Sequence, residues 1–195
     1  MNKFYAGIGS RQTPFDVKYK MTCLALKLHE LGFILRTGGA TGADEAFIRA
    51  TVPMELYLPW NGFNGHYLHA YYGEQKAYAG LTPTYELVTR NLAARFHPKF
   101  YLLPPASQTL IARNGYQIFG GDLRITNPDF ISWFVLCWTE GGRGDGGTGQ
   151  ALRIAKYYGI PAFDLGSPEL ERLEVEEIFE LLCNVKPPEV RRQKE

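Results

Sequence analysis

Two glycine-rich turns, each placed between an apolar run and a helix-like segment, constrain the fold of this chain most. The first turn, residues 37–44, follows the apolar run 32–35, and the second turn, residues 140–149, follows the apolar run 130–138. In each case a buried strand is expected to give way to a helix. Glycines at such a point let the backbone approach a ligand, and a helix N-terminus offers unpaired N–H groups to an anion. The two turns therefore predict a pocket for a phosphate-bearing ligand.

The same alternation of strand-like and helix-like segments extends along the chain and indicates an α/β fold. Strand patterns cover residues 3–8, 33–35, 54–58, 130–138 and 161–165. Helix patterns cover residues 15–31, 43–50, 84–96, 107–119 and 148–158, and a last helix is predicted within 169–183, with Ser167 and Pro168 at its start. The pattern of residues 66–80 indicates no particular element. Strands separated by helices favour a parallel sheet with right-handed crossovers.

We predict a single Rossmann-like domain over residues 1–185, with three layers in which a parallel sheet is flanked by helices. A helical insertion is expected at about residues 60–128, between the third and fourth strands. Residues 186–195 are polar and contain two adjacent prolines, so a flexible tail is expected there.

A third turn, residues 7–11, follows the first strand. It is predicted to share one edge of the sheet with the two glycine-rich turns, because each of the three follows the carboxyl end of a strand. Ligands of such sheets bind at that edge, near the point where the strand order reverses. There Ser10 can donate a hydrogen bond to a phosphate, and Arg11 can bind one bidentately. The predicted ligand-binding residues are Gly9, Ser10, Arg11, Thr37, Gly38, Gly39, Thr41, Asp44, Arg113, Asn114, Gly146, Gly147 and Thr148.

Three of these assignments have a structural alternative or an added structural role. Asp44 could cap the second helix or contact the ligand, for example at a ribose hydroxyl. Arg113 and Asn114 form a polar pair in an otherwise apolar helix, where they could occupy an exposed face or cross the cleft. Thr148 is expected at the start of its helix, where it could bind phosphate and also cap.

Catalytic and metal sites are less well indicated by the sequence. Glu140 and Asp145 are the carboxylates of the second turn and are candidate catalytic residues. Arg113 is a third candidate. The glycine-rich run around them could form a mobile lid in which Arg143 closes over a ligand. No metal site is predicted from His66, His69 and His97, because no carboxylate or cysteine completes a ligand set at usual spacing. There is no Walker A or spaced dinucleotide motif, so no cofactor is predicted.

Composition narrows the class of partner. The chain has 195 residues and a net charge of +1, which argues against a broad basic surface for duplex binding. Its three cysteines include no C-x-x-C pair, so we expect reduced thiols in a cytoplasmic protein. No apolar run approaches the roughly 20 residues that span a membrane.

The motifs at the first and second turns resemble a known superfamily. Residues 7–11 and 35–44 resemble the GSR and SGGAxGxD motifs of DprA/Smf DNA-processing proteins, which share a Rossmann-like fold with the LOG nucleotide hydrolases in the SLOG superfamily. Residues 137–139 and 146–151 resemble small DprA-like proteins of bacteriophages. The resemblance implies a phosphate-bearing ligand, which is single-stranded DNA in the DprA branch. The LOG motif PGGxGTxxE has a catalytic glutamate where this chain has Arg153 or Thr148, depending on the register.

The sequence thus predicts a nucleotide- or nucleic-acid-binding protein that uses phosphate-binding turns. Two alternatives remain open: a LOG-like nucleotide hydrolase, and a protein that sequesters a nucleotide second messenger. The expected partners are a nucleotide or single-stranded nucleic acid. The oligomeric state is also open, with the aromatic segment 63–80 as a candidate contact surface between copies.

Overall fold

The predicted α/β, Rossmann-like fold is confirmed in a computed structural model that describes residues 2–67, 76–79, 86–121 and 123–189. Its parallel sheet has the strand order β4-β3-β2-β1-β5-β6. The strands are β1 (Lys3–Gly7), β2 (Phe33–Thr37), β3 (Met54–Leu58), β4 (Lys76–Ala79), β5 (Val135–Cys137) and β6 (Ala162–Asp164). All five neighbouring pairs run parallel.

Helices cover both faces of the sheet and make the three layers. The helices are α1 (Phe15–Glu30), α2 (Ala43–Ile48), α3 (Glu86–Phe96), α4 (Pro105–Phe119), α5 (Gly146–Tyr157) and α6 (Val175–Cys183). One apolar core joins α1, α2 and α6 to the sheet, with the buried Met21, Leu24 and Ile178 among its members. A second core on the opposite face joins α4 and α5, through residues such as Tyr116, Phe119 and Ile154.

The strand order places the switch point of the sheet between β1 and β5. From β1 the chain proceeds outward through β2, β3 and β4, and it then returns to the other side of β1 for β5 and β6. Loops that leave adjacent strands in opposite directions open a crevice between them, and ligands of such sheets bind there. The loops after β1 and β5 therefore flank the expected binding position.

The predicted helical insertion contains α3 and α4, and the structure adds a short strand there that the sequence did not indicate. Residues 76–79 form an edge strand that pairs in parallel with β3, Glu55 opposite Lys76 and Leu58 opposite Ala79. Only four residues make this strand, and they lie in a segment whose sequence lacks clear periodicity. The pairing with β3 is a tertiary contact, so local pattern did not indicate it.

Two element boundaries also differ from the prediction. The apolar run 130–138 contributes a strand of only three residues, Val135–Cys137. Before this strand, Ser132 donates its backbone N–H to the Ile118 carbonyl of α4 at 2.8 Å and not to a neighbouring strand. The last helix begins at Val175 rather than near Ser167. Its N-cap is Glu174, which forms a reciprocal capping box with Glu177.

Candidate functional site

A cleft of about 560 Å³ lies at the carboxyl ends of the central strands. The turn after β1, the N-terminus of α5 and one face of α4 form its walls. It is lined by Ile8, Gly9, Ser10, Arg11, Gln12, Ala40, Asp44, His97, Leu103, Ser107, Leu110, Ile111, Arg113, Asn114, Gln117, Asp145, Gly146, Gly147 and Thr148. The structure thus brings together nine of the thirteen residues predicted to bind the ligand.

The second glycine turn presents an open helix N-terminus to this cleft. Helix α5 begins at Gly146, two residues earlier than predicted, with Asp145 as its N-cap. No side chain of the described residues caps this end. Because the first N–H groups of a helix have no partner within it, Gly147 and Thr148 can offer theirs to an anion.

The first glycine turn is occupied by a side chain of the protein itself. The Asp44 carboxylate accepts hydrogen bonds from the backbone N–H groups of Gly38 at 3.2 Å and Ala40 at 3.3 Å. Asp44 therefore does not cap α2, as one alternative held, since the N-cap position belongs to Gly42. Its carboxylate stands where an external anion would otherwise bind these donors.

Four residues predicted to bind the ligand lie outside the lining of the cleft as described. Thr37 and Gly38 are buried beneath it, and Gly39 packs toward Leu58. Thr41 is exposed and is not among the residues that line the cleft. The sequence placed these residues correctly at the strand end, but it could not show that Asp44 and an arginine cover them from the cleft side.

That arginine is Arg113, which reaches from α4 over the first turn. It is only 7% exposed, and it donates to the carbonyl of Gly38 and, at 3.4 Å, to that of Tyr57. A Cβ atom at Gly38 would collide with the guanidinium, so glycine is needed there for space. The exposed-face alternative for Arg113 and Asn114 is therefore wrong: both side chains are buried at the wall of the cleft.

Burial dominates the electrostatics of Asp44 and Arg113. It raises the pKa of the Asp44 carboxyl, while the charge of Arg113 and the N–H groups of Ala40, Gly38 and Gly9 act in the opposite direction. Burial also lowers the pKa of the Arg113 guanidinium, with Asp44 opposing and the nearby charge of Arg11 adding to the decrease. Asp44 and Arg113 therefore each favour the charged form of the other. Arg11, by contrast, is exposed to solvent at the mouth of the cleft.

A carboxamide bridge fixes α4 against the N-terminus of α5. The Asn114 amide nitrogen donates to the carbonyl of Gly147 and to Oε1 of Gln150, each at 3.0 Å. Asn114 is buried, and the bridge sets the distance between the two helices that wall the cleft. Asn114 thus has a positioning role besides lining the cleft.

Sequence reasoning missed four polar residues of the cleft as ligand-binding candidates, namely Gln12, His97, Ser107 and Gln117. Gln117 lies three residues after Asn114 and seven after Leu110, so it shares their face of α4. His97 follows α3 directly. The helical spacing from Asn114 is a signal that could have identified Gln117, whereas nothing in the local sequence around His97 points to a cleft.

The candidate acidic catalytic residues are engaged with an arginine at the surface. Arg143 pairs with Glu140 at 2.9 Å and with Asp145 at 3.1 Å, and the two carboxylate side chains are 71% and 76% exposed. Asp145 borders the cleft, and Glu140 does not line it among the residues described. This arrangement differs from the buried, desolvated setting in which a carboxyl usually gains acid–base function.

Neither a metal centre nor a membrane span emerges from the parts of the chain that the structure describes. No three metal-binding side chains cluster there, and no helix is long and apolar enough to cross a bilayer. Of the histidines considered, His69 lies outside the described residues. Cys23, Cys137 and Cys183 are free thiols, and burial raises the pKa of Cys137 well above its ordinary value.

Comparison with known proteins supports the fold. No family model and no curated protein sequence matches the chain. A solved structure of DNA processing protein A from Helicobacter pylori is similar, with a TM-score of 0.58 and 18% sequence identity, covering 95% of this chain and 82% of that one. That structure was described for its single-stranded DNA binding mode. The chain therefore has a Rossmann-like fold similar to that of a DprA protein.

Proposed function

We propose that this protein binds nucleotides or single-stranded nucleic acid, and that its cleft holds a phosphate group at the mouth. The observation that carries the proposal is that one cleft contains both the exposed Arg11 and the N-terminus of α5, which no side chain of the described residues caps. A helix N-terminus and a guanidinium are both well suited to phosphate oxygens. Ser10 and Thr148 add hydroxyl donors at the same place.

The location in the fold supports this proposal independently. The cleft lies beside the switch point of the sheet, where doubly wound proteins bind phosphate-bearing ligands. The structurally similar DprA protein binds single-stranded DNA. The net charge of +1 favours recognition of one or a few phosphates in a defined pocket over a long electrostatic track.

Titration of the purified chain with two probe classes tests the proposal. One class is the set of four nucleoside 5′-monophosphates, and the other is a short oligothymidylate labelled for fluorescence anisotropy. Binding of either class that weakens with added salt is expected, because phosphate contacts release counterions. A folded protein that binds neither class would overturn the proposal.

The same titration separates binding from hydrolysis. We propose binding without turnover, so the nucleotides should be recovered intact after long incubation. Release of free base or of phosphate would instead support the hydrolase alternative. The exposed, paired state of Glu140 and Asp145 and the hydrogen-bonded state of Asp44 favour binding alone.

A further inference from the structure

The floor of the cleft contains a side-chain amide whose hydrogen bonds are unmade. Gln117 is 1% exposed and lines the cleft, and neither its amide nitrogen nor its amide oxygen has a partner among the described residues. Buried polar atoms in proteins are rarely left in this state, since each unmade bond destabilises the fold. A donor and an acceptor that have no partner among the described residues, at the base of a cleft, are placed to hydrogen-bond a ligand.

That partner is unlike the phosphate expected at the mouth. The carboxylate of Asp44 lies at the floor and repels a second anion, and its acceptance of two backbone N–H groups removes those donors from a ligand. Arg113 donates there through Nη1 to the carbonyl groups of Gly38 and Tyr57, and the Asp44 carboxylate balances its charge, although its Nε has no partner among the described residues. The phosphate is thus favoured at the mouth, beside Arg11, and a neutral part of the ligand at the floor.

The aliphatic part of the cleft lining favours a flat ring as this neutral part of the ligand. Leu110 and Ile111 of α4 and Ile8 after β1 line the cleft with aliphatic surface. Gln117 follows on the same face of α4, about two turns beyond Leu110. A nucleobase has apolar faces and an edge with adjacent donor and acceptor groups, to which a carboxamide can bind in a bidentate manner.

We propose that Gln117 is a specificity-determining residue that binds the edge of a nucleobase, which enters the cleft ahead of its phosphate. The amide of Gln117 turns toward the ligand and forms the two hydrogen bonds that it does not make with any described residue. This inference rests on the proposed function and deepens it. It implies that the ligand is a nucleotide, free or at an unpaired position of a strand, with its base directed inward.

The test compares ligands with and without a base. Inorganic phosphate, ribose 5-phosphate and the four nucleoside 5′-monophosphates are titrated into the wild-type protein and into Gln117→Met, a variant of nearly equal length without hydrogen-bonding groups. The wild-type protein is expected to bind at least one nucleotide about tenfold or more tightly than ribose 5-phosphate. Gln117→Met should lose that preference and keep its affinity for ribose 5-phosphate within about twofold of the wild-type value.

A stability measurement separates recognition from a merely structural role. Removing an unpaired buried amide should leave the melting temperature of Gln117→Met equal to or above that of the wild type. Tyr5→Phe is the matched control, because the Tyr5 hydroxyl is also buried and unpaired within the described chain but lies in the core behind the sheet. It should change neither nucleotide nor ribose 5-phosphate affinity. Gln117→Leu serves as a second variant if the methionine variant does not fold.

Two outcomes overturn the inference in distinguishable ways. Equal affinities for ribose 5-phosphate and for every nucleotide, or an unchanged nucleotide preference in the Gln117 variants, would contradict a base at the floor while leaving phosphate binding intact. Failure of the wild-type protein to bind any of these probes or a short oligothymidylate would remove the proposed function itself.

Discussion

The two glycine-rich turns of this protein are similar in sequence and opposite in availability. In the first turn, residues 37–44, the Asp44 carboxylate accepts the N–H groups of Gly38 and Ala40. In the second turn, residues 140–149, helix α5 begins without a side-chain cap among the described residues, and its first residues border the cleft. Both turns follow the carboxyl end of a strand. The backbone N–H groups of the first turn bond a carboxylate of the chain, whereas those at the start of α5 bond no side chain of the described residues and are available to an external anion.

The difference shows that a glycine-rich turn can serve as a structural device as well as a binding loop. An internal carboxylate supplies the charge and the acceptor oxygens that a phosphate would bring. With its N–H groups bonded by Asp44, the first turn forms a fixed part of the cleft, and Arg113 donates to its Gly38 carbonyl. The N–H groups at the start of α5 and the guanidinium of Arg11 are the donors offered to a ligand at the mouth of the cleft.

Removal of the internal anion is expected to give the largest effect. Asp44→Ala should lower the free energy of unfolding by about 2–4 kcal/mol, because two buried N–H groups lose their acceptor and Arg113 loses its counter-charge. Urea unfolding measures this change. Asp44→Asn is the control, since its carbonyl oxygen can retain the hydrogen bonds and the loss should be smaller. Equal stability of Asp44→Ala and the wild type would mean that the first turn does not depend on Asp44.

Removal of the Arg11 guanidinium tests whether the donors at the mouth of the cleft bind the ligand. Arg11→Ala should weaken nucleotide or oligothymidylate binding about 10- to 100-fold, the value of a charge-assisted hydrogen bond, and should reduce the salt dependence by about one phosphate contact. Anisotropy titrations at several salt concentrations measure both. Arg143→Ala is the matched control from the second turn, because Arg143 already pairs with Glu140 and Asp145. If Arg11→Ala binds as tightly as Arg143→Ala and the wild type, Arg11 does not contact the ligand.

A further carboxylate, placed inside the first turn of α5, should make the second glycine turn resemble the first. Thr148→Asp puts a carboxylate in the first turn of α5, where it should stabilise the helix by about 0.3–1 kcal/mol. The same charge should weaken binding of a phosphate-bearing ligand about tenfold, through like-charge repulsion. Thermal unfolding and the nucleotide titration measure the two effects, and Thr148→Asn is the uncharged control. Tighter binding in the aspartate variant would contradict a phosphate site at this helix end.

The smallest expected effect is a pH dependence that belongs to the first turn. Burial raises the pKa of Asp44 in the folded protein above its value in the unfolded chain. Between these two pKa values the folded state binds a proton that the unfolded state does not, so the contribution of Asp44 to stability increases as pH falls and decreases as pH rises. Unfolding of wild type and Asp44→Asn over the acidic range isolates this contribution. A stability difference between them that does not vary with pH would mean that the Asp44 pKa is not raised.

Much of the fold followed from local sequence pattern, and the exceptions share one physical cause. The periodicity of residues 15–31 and the apolar run 54–58 predicted α1 and β3 closely, because each buries one regular face against the sheet. Strand β4 was missed because its pairing with β3 comes from tertiary context. The start of α6 was predicted too early, because Ser167 and Pro168 are residue types typical of a helix start. The helix begins at Val175, where Glu174 and Glu177 form a capping box.

For the site, the sequence by itself determined where polar and glycine residues meet, since parallel strands carry their C-terminal loops to one edge. It could not determine which turn is open. That depended on the position of Asp44 after folding and on α4 laying Arg113 over Gly38, two contacts between groups 6 and 75 residues apart in the chain. Tertiary structure decided this because a buried backbone N–H group takes the nearest acceptor in space, and sequence distance does not fix which acceptor that is.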